Sequence, residues 1–249
     1  MEEQSEQRSR RNLIQLVAII VVVSLLGIGL ALLIDWFPTQ ASVEGEKVDT
    51  VYDVLMICSV PMFVLVATVV VYSVVKFRMR PGQELMDGPP IHGNTRLEVF
   101  WTALPAIMLV SLCSYAYATL HSIEKDQPGQ MKVQVTGEQF AWSYVYPQAP
   151  GGKPVASDQL YVPLGRQIEF DVKAADVIHD FWVPAFRMKI DAVPGITTHV
   201  KMTPKKLGQY PVVCAELCGY GHALMRSTVH VVSQSQFDAW LAKQGGSSS

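Results

Sequence analysis

PVVCAELCGYGHALM, running from Pro211 to Met225, sets Cys214 and Cys218 four residues apart and follows them with His222 and Met225 at short offsets. Cys-x3-His-x2-Met gathers a thiolate, an imidazole and a thioether into one tight loop, the donor set that soft, redox-active copper prefers. One Cys with two His and a Met would describe a mononuclear site. The second Cys lets two bridging thiolates hold two metals, each then needing one nitrogen and one weak further donor. A second histidine must come from elsewhere; His179 is the candidate, and the backbone carbonyl of Glu216 completes the set. Three plainer readings compete: a disulfide in an oxidising compartment, a structural zinc site, which takes four Cys or His ligands and has no use for Met, or two coincidental core cysteines. The dense spacing favours copper over all three.

Outward from this loop the chain alternates. MKVQVTG (Met131–Gly137) and QIEFDVK (Gln167–Lys173) are period-2 runs, Thr197–Met202 and Gly208–Val213 are shorter candidates, and RSTVHVV (Arg226–Val232) leaves the loop on its far side. Turn signals such as Pro150-Gly151-Gly152 and Pro194-Gly195 separate them. Many short strands without intervening helices predict an antiparallel sandwich or barrel of about 110 residues. Ser233–Lys243 reads as a short amphipathic helix with Phe237, Trp240 and Leu241 at helical spacing, and residues 245–249 as a disordered end.

The first half has a different solvent. Charged residues make up only 17% of the 249 and the net charge is -2, so no polyionic partner, nucleic acid included, is implied. The shortage is local: Leu13–Ile34, Val54–Val75 and Val99–Leu120 are uncharged apolar runs of 22 residues each. At ~1.5 Å per residue each crosses a ~30 Å hydrocarbon core. Arg8, Arg10 and Arg11 precede the first run, and Lys76, Arg78, Arg80 and Arg96 follow the second. Between the first two runs Lys47 stands against Asp35, Glu44, Glu46 and Asp49. By the basic-loop bias the N-terminus is expected to be cytoplasmic and the C-terminal half to lie outside, in the periplasm or its equivalent; the lack of a transit peptide favours a prokaryotic plasma membrane. A basic-then-apolar N-terminus also describes a signal peptide, but no small-x-small site follows and the run is too long, so it reads as a retained span. The expected layout is a cytoplasmic, unstructured tail over residues 1–12, a membrane region over 13–120, and an outer domain over 121–244.

Several residues have plain readings. Pro61 and Pro105 are tolerated inside spans, Cys58 and Cys113 are span packing, and Arg80–Asn94 is an irregular Gly/Pro-rich loop. Thr95-Arg96-Leu97-Glu98 fits a helix capping box. His92, His121, His199 and His230 have no companion ligand at useful spacing, and Lys189 with Asp191 reads as an ion pair. Phe140, Trp142, Tyr144 and Tyr146 alternate on one strand face.

With these residues in view, the chain resembles the cytochrome c oxidase subunit II family, whose outer domain carries a dinuclear copper (CuA) centre. HGNTRLEVFWTALPAIM resembles that family's second membrane helix, GEQFAWSYVY its aromatic strand and DVIHDFWVPAFRMKIDAVPG its first-histidine segment, in family order with the loop at Cys214–Met225. The resemblance implies a cupredoxin-like Greek-key barrel on a membrane hairpin, here preceded by an additional span. It assigns His179, Cys214, Cys218, His222 and Met225 as copper ligands, with Glu216 binding through its carbonyl. The Glu216 carboxylate would face a magnesium or manganese ion shared with catalytic subunit I, an oxygen ligand suiting a hard cation. Glu98 matches the acid at the inner mouth of a proton channel into subunit I, a role compatible with capping. Gln139, Phe140, Trp142 and Asp176 match the surface where electrons arrive from a c-type cytochrome. Haem would be held by the partner subunit alone, subunit III would accompany it, and the complex would reduce oxygen to water and pump protons.

Two departures bear on the donor. The family's first strand Trp is Phe140 here, which keeps a ring but loses the indole N–H, and Val145 stands where an acid is common. From His121 onward 12 Lys and Arg oppose 11 Asp and Glu. A neutral domain steers a soluble basic cytochrome weakly, so the expected donor is membrane-anchored or complex-bound. Alternatives are a membrane-anchored copper carrier or a mononuclear cupredoxin. A quinol oxidase subunit would have lost the ligands, and a nitrous-oxide reductase would need a propeller domain.

Overall fold

The computed structural model describes residues 2–79, 81–82, 92–147, 149 and 152–246. Three helices are long and apolar enough to cross a membrane: α1 (Glu2–Leu33, apolar from Arg10), α2 (Val43–Phe77) and α3 (Thr95–Ile123). Each outruns the apolar segment that predicted it. The tail expected to be unstructured is helical from Glu2 onward, consistent with the strong helix propensity of its Glu, Gln and Arg residues. α2 starts eleven residues before its apolar run (Val43 against Val54), with Glu44 and Glu46 in its first turn, where the helix dipole favours acids. The loop expected over Arg80–Asn94 lies mostly outside the described residues.

The chain divides into two compact units, residues 1–35 with 50–116, and residues 36–49 with 117–249. In the first, Ser24 and Ala31 of α1 and Val64 of α2 are buried. Most other apolar side chains of these helices, such as Leu26, Phe63 and Ile107, are exposed, as expected of surfaces whose solvent is lipid.

The second unit is a β-sandwich. Its strands are β1 (Met131–Glu138), β2 (Ala141–Tyr146), β3 (Val155–Ser157), β4 (Leu160–Pro163), β5 (Ile168–Ala174), β6 (His179–Val183), β7 (Met188–Ala192), β8 (Thr198–Met202), β9 (Gly208–Cys214) and β10 (Arg226–Val232). One sheet runs β3-β2-β1-β5-β8 and the other β4-β10-β9-β6-β7. Both are mixed rather than antiparallel: β1 with β5 and β4 with β10 are parallel pairs. Alternation along β1 turns Met131, Val133 and Val135 inward. They meet Tyr144, Phe170, Phe181 and Phe186, all fully buried, each large side chain contributing about 2 kcal/mol of burial. The closing helix α4 (Gln234–Gly246) buries Phe237 and Leu241 and stacks Trp240 on Tyr161 at 4.5 Å.

Residues 36–49, most of the connector between α1 and α2 together with the start of α2, are built into this unit as a strap. Ala41 donates to Ala185 O and accepts from Lys205 N, and Val43 N donates to Thr203 O. The buried Glu44 carboxylate receives Thr203 N at 2.6 Å and Thr203 Oγ1 at 2.9 Å. Arg187 is the only non-glycine among the described residues with a positive φ, 56°. Its guanidinium forks onto Asp49 at 2.7 and 3.2 Å, donates to Pro38 O and Pro184 O, and lies over the Phe37 ring. Strap contacts fall after the end of β6 and before the start of β9. The other ends of those two strands carry His179 and Cys214, two of the expected ligands, so the strap and these residues sit at opposite ends of the same strands.

Candidate metal centre

β9 and β10 form a hairpin whose loop, residues 215–225, is closed at its base where Cys214 N donates to Met225 O. A second bond, Ala215 N to Asp180 O, fixes the loop to β6, which opens with His179. The loop bends tightly around a 3-10 turn at His222–Leu224. Gly219 adopts φ +137°, and a Cβ there would lie 2.7 Å from the Gln139 amide; at Gly221 a Cβ would lie 2.5 Å from the Phe140 ring. Only glycine lets the loop backbone pass this close beneath the β1–β2 turn.

The loop, the end of β9 and the start of β6 together bring the predicted ligands into one cluster. Cys214 and Cys218 are free, buried thiols with sulfurs 3.8 Å apart. His179 Nδ1 lies 3.9 Å from Cys214 Sγ, and His222 Nδ1 lies 3.6 Å from Cys218 Sγ. Glu216 O is 3.2 Å from Cys214 Sγ, while Met225 Sδ is 3.8 Å from Cys218 Sγ. Each sulfur thus has its own imidazole and its own weak donor. His179 and Met225 are fully buried and His222 half-buried. Burial, reinforced by the neighbouring Cys214, pushes the Cys218 thiol up to about 11. Such a set suits soft cations that displace thiol protons.

Asp176, expected at the donor surface, is exposed and also bonded inward. Its carboxylate meets His179 Nε2 at 2.8 Å and receives Gln139 N at 2.8 Å and Val177 N at 2.7 Å. Burial acts to raise this carboxyl, but the hydrogen bond from His179 and the two backbone donors outweigh it and hold it at about 2. Gln139 also reaches the loop, its Nε2 donating to Cys218 O at 2.5 Å. Trp142 is buried and its ring meets that of His179 at 66°, centroids 6.0 Å apart. Phe140 does not share the buried face of Trp142, Tyr144 and Tyr146. It precedes β2, in the turn, and its half-exposed ring covers Gly219 and Gly221. Leu217, Tyr220 and Leu224 project from the loop into solvent.

Other expectations shift by a residue or a partner. The α3 cap is Asn94, not Thr95: Asn94 Oδ1 accepts from Leu97 N, and Glu98 Oε1 accepts from Asn94 N at 3.1 Å. Lys189 pairs with the buried Asp180 at 2.9 Å rather than with Asp191. Burial raises the Asp180 carboxyl despite that partner. His199 does have acidic companions, Asp171 at 2.7 Å and Glu169 at 3.7 Å, brought together by β5–β8 pairing. Lys132 neutralises Glu169 at 3.3 Å, making the group an ion-pair array. The signal for it was Glu169 and Asp171 two apart on one strand face, with a partner strand bearing a histidine.

A membrane-anchored chain carrying a largely buried Cys2His2Met cluster on a β-sandwich is an electron-transfer protein of the copper-binding, cupredoxin-like class. The sequence matches two family descriptions, "Cytochrome C oxidase subunit II, transmembrane domain" over residues 29–119 and "Cytochrome C oxidase subunit II, periplasmic domain" over 153–232. It is 30% identical to cytochrome c oxidase subunit 2 of Synechocystis sp., over 89% of this chain and 82% of that one. It is 32% identical to that of Thermostichus vulcanus, over 82% and 76%. The solved periplasmic domain of subunit II of cytochrome oxidase from Bradyrhizobium japonicum aligns with 51% of this chain and 99% of its own, at 30% identity and a TM-score of 0.46. The chain belongs to the cytochrome c oxidase subunit II family. It is the subunit through which electrons enter a haem–copper terminal oxidase, an oxidoreductase complex, and its copper domain lies outside the membrane.

Proposed function

We propose that His179, Cys214, Cys218, His222 and Met225, with the carbonyl of Glu216, hold two copper ions bridged by the two thiolates. The observation that carries this is the paired arrangement of donors, sulfur with Nδ1 and one weak ligand on each side. When bound, such a pair shares one unpaired electron in its oxidised state, so added charge is spread over both metals and geometry changes little on reduction. The protein's part is to hold the donors fixed and dry: His179 and Met225 are sealed in the sandwich, and the hairpin base locks Cys214. Electrons come from a c-type cytochrome, membrane-anchored or complex-bound because the outer domain is nearly neutral. The half-exposed Phe140 ring is their proposed point of contact, and Trp142, two residues further on, is buried against His179. They pass to haem in subunit I, with subunit III alongside.

The exposed Glu216 carboxylate is available to a magnesium or manganese ion completed by subunit I. Glu98 serves proton uptake as well as the helix cap, with the N-terminus and this end of α3 on the cytoplasmic side. The test is copper content per full-length chain together with its electron paramagnetic resonance spectrum. Two coppers sharing one delocalised electron are expected. One copper with single-nucleus hyperfine structure would overturn the dinuclear reading.

A further inference from the structure

The ligands come from two separate segments, His179 at the start of β6 and the other five from the loop at 214–225. A centre assembled in this way keeps its geometry only if something braces one segment against the other. Two braces are main-chain features of one sheet: the pairing of Phe181 with Cys214, and the Ala215 N to Asp180 O bond. The third comes from the opposite sheet. Gln139, in the two-residue turn between β1 and β2, donates its backbone N–H to Asp176 Oδ2 and its side-chain amide to Cys218 O. Asp176 in turn holds the Nε2 side of His179.

We propose that Gln139 is a positioning residue for the copper centre, a cross-brace tying the His179 segment to the Cys218 segment, rather than only part of the surface that meets the electron donor. The inference rests on the ligand reading above. Its logic is mechanical. Cys218 is followed by glycines at 219 and 221, the softest part of the loop. With its carbonyl pinned by the Gln139 amide, Cys218 Sγ stays at its spacing from Cys214, His222 and Met225. Without the amide, no other donor among the described residues meets that carbonyl, and the Cys218–Gly221 backbone can relax away from the Asp176–His179 side.

Two substitutions separate packing from bonding. Gln139→Ala removes the arm, whereas Gln139→Glu keeps its length and removes the N–H donor. In the full-length, copper-loaded protein both are expected to release copper to a chelator about tenfold faster than the native chain and to alter the copper hyperfine pattern. Alkylation of Cys218 in the metal-free chain should also accelerate. Native release rate, spectrum and thiol reactivity, with only the Michaelis constant for the cytochrome raised, would make Gln139 a docking residue and overturn the proposal. Native release in Gln139→Glu alone would reduce the brace to packing and overturn it equally. If the native chain holds no chelator-resistant copper, the ligand reading fails instead, and the alkylation comparison still decides whether Gln139 restrains Cys218.

Discussion

The Asp176 carboxylate holds His179 Nε2 at 2.8 Å, which leaves Nδ1 as the ring nitrogen facing Cys214. A carboxylate on the far nitrogen fixes both ring orientation and tautomer, and makes the ligating nitrogen more basic. Asp176→Ala should therefore weaken copper retention by about 10-fold or more and change the hyperfine pattern, while Asp176→Asn, which keeps an acceptor, should retain part of both. A pure docking acid would behave differently. Its loss would raise the Michaelis constant for the donor and leave the copper spectrum and chelator resistance unchanged.

Burial holds the Cys218 thiol near 11 in the folded chain against an ordinary value near 9. The unfolded chain gives up this proton first, so between about pH 9 and 11 it binds fewer protons than the folded chain and stability falls as pH rises. Below that window the contribution is constant. Melting of the copper-free protein from pH 8 to 11 should show a decline that Cys218→Ser reduces. Equal slopes in both would show that this thiol is not the group responsible.

The proposed copper ligands could be picked out because four of their side chains fall within twelve residues, from Cys214 to Met225, where spacing alone constrains geometry. The spans were legible because lipid imposes a minimum apolar length. What escaped was whatever depends on distant partners. Glu44 meets Thr203 across 159 positions and Arg187 meets Asp49 across 138, and no local period encodes either. The parallel pairs escaped likewise, since β1–β5 and β4–β10 have no connecting turn to announce them. Phe140 kept the even spacing of its neighbours, yet it lies before the strand begins, where alternation no longer dictates direction. Asn94 displaced Thr95 as cap because either residue type can serve and only the geometry of the first turn chooses.

Arg187 holds a left-handed backbone while its guanidinium makes four hydrogen bonds to the strap and its own turn. Losing charge-assisted bonds at a site this buried should destabilise the outer unit by about 2 kcal/mol. Arg187→Gly and Arg187→Ala both lose them, but glycine also relieves the left-handed strain, about 1 kcal/mol. The glycine variant should accordingly melt above the alanine variant, with both below the native chain. Because the strap lies at the far ends of β6 and β9, neither should alter the copper spectrum. Identical melting of the two variants would show that the backbone at 187 stores no strain.

Gly221 passes so close under Phe140 that an added Cβ would stand 2.5 Å from ring carbon Cδ2, well inside contact distance. The loop, the ring or both must then move. Gly221 immediately precedes His222, so the displacement reaches the second imidazole directly, and it also lifts the ring proposed to meet the donor. Gly221→Ala alone should perturb the copper hyperfine pattern and slow electron transfer from the cytochrome by roughly tenfold, about 1.4 kcal/mol of barrier. Phe140→Ala removes the obstacle, so in the double variant the alanine fits without displacing His222 and the copper spectrum should return toward native. Electron transfer should not recover with it, because the ring is gone. The cycle separates the two jobs of this contact, shaping the loop and receiving the donor. Recovery of both spectrum and rate in the double variant would remove Phe140 from the electron path while leaving its packing role intact.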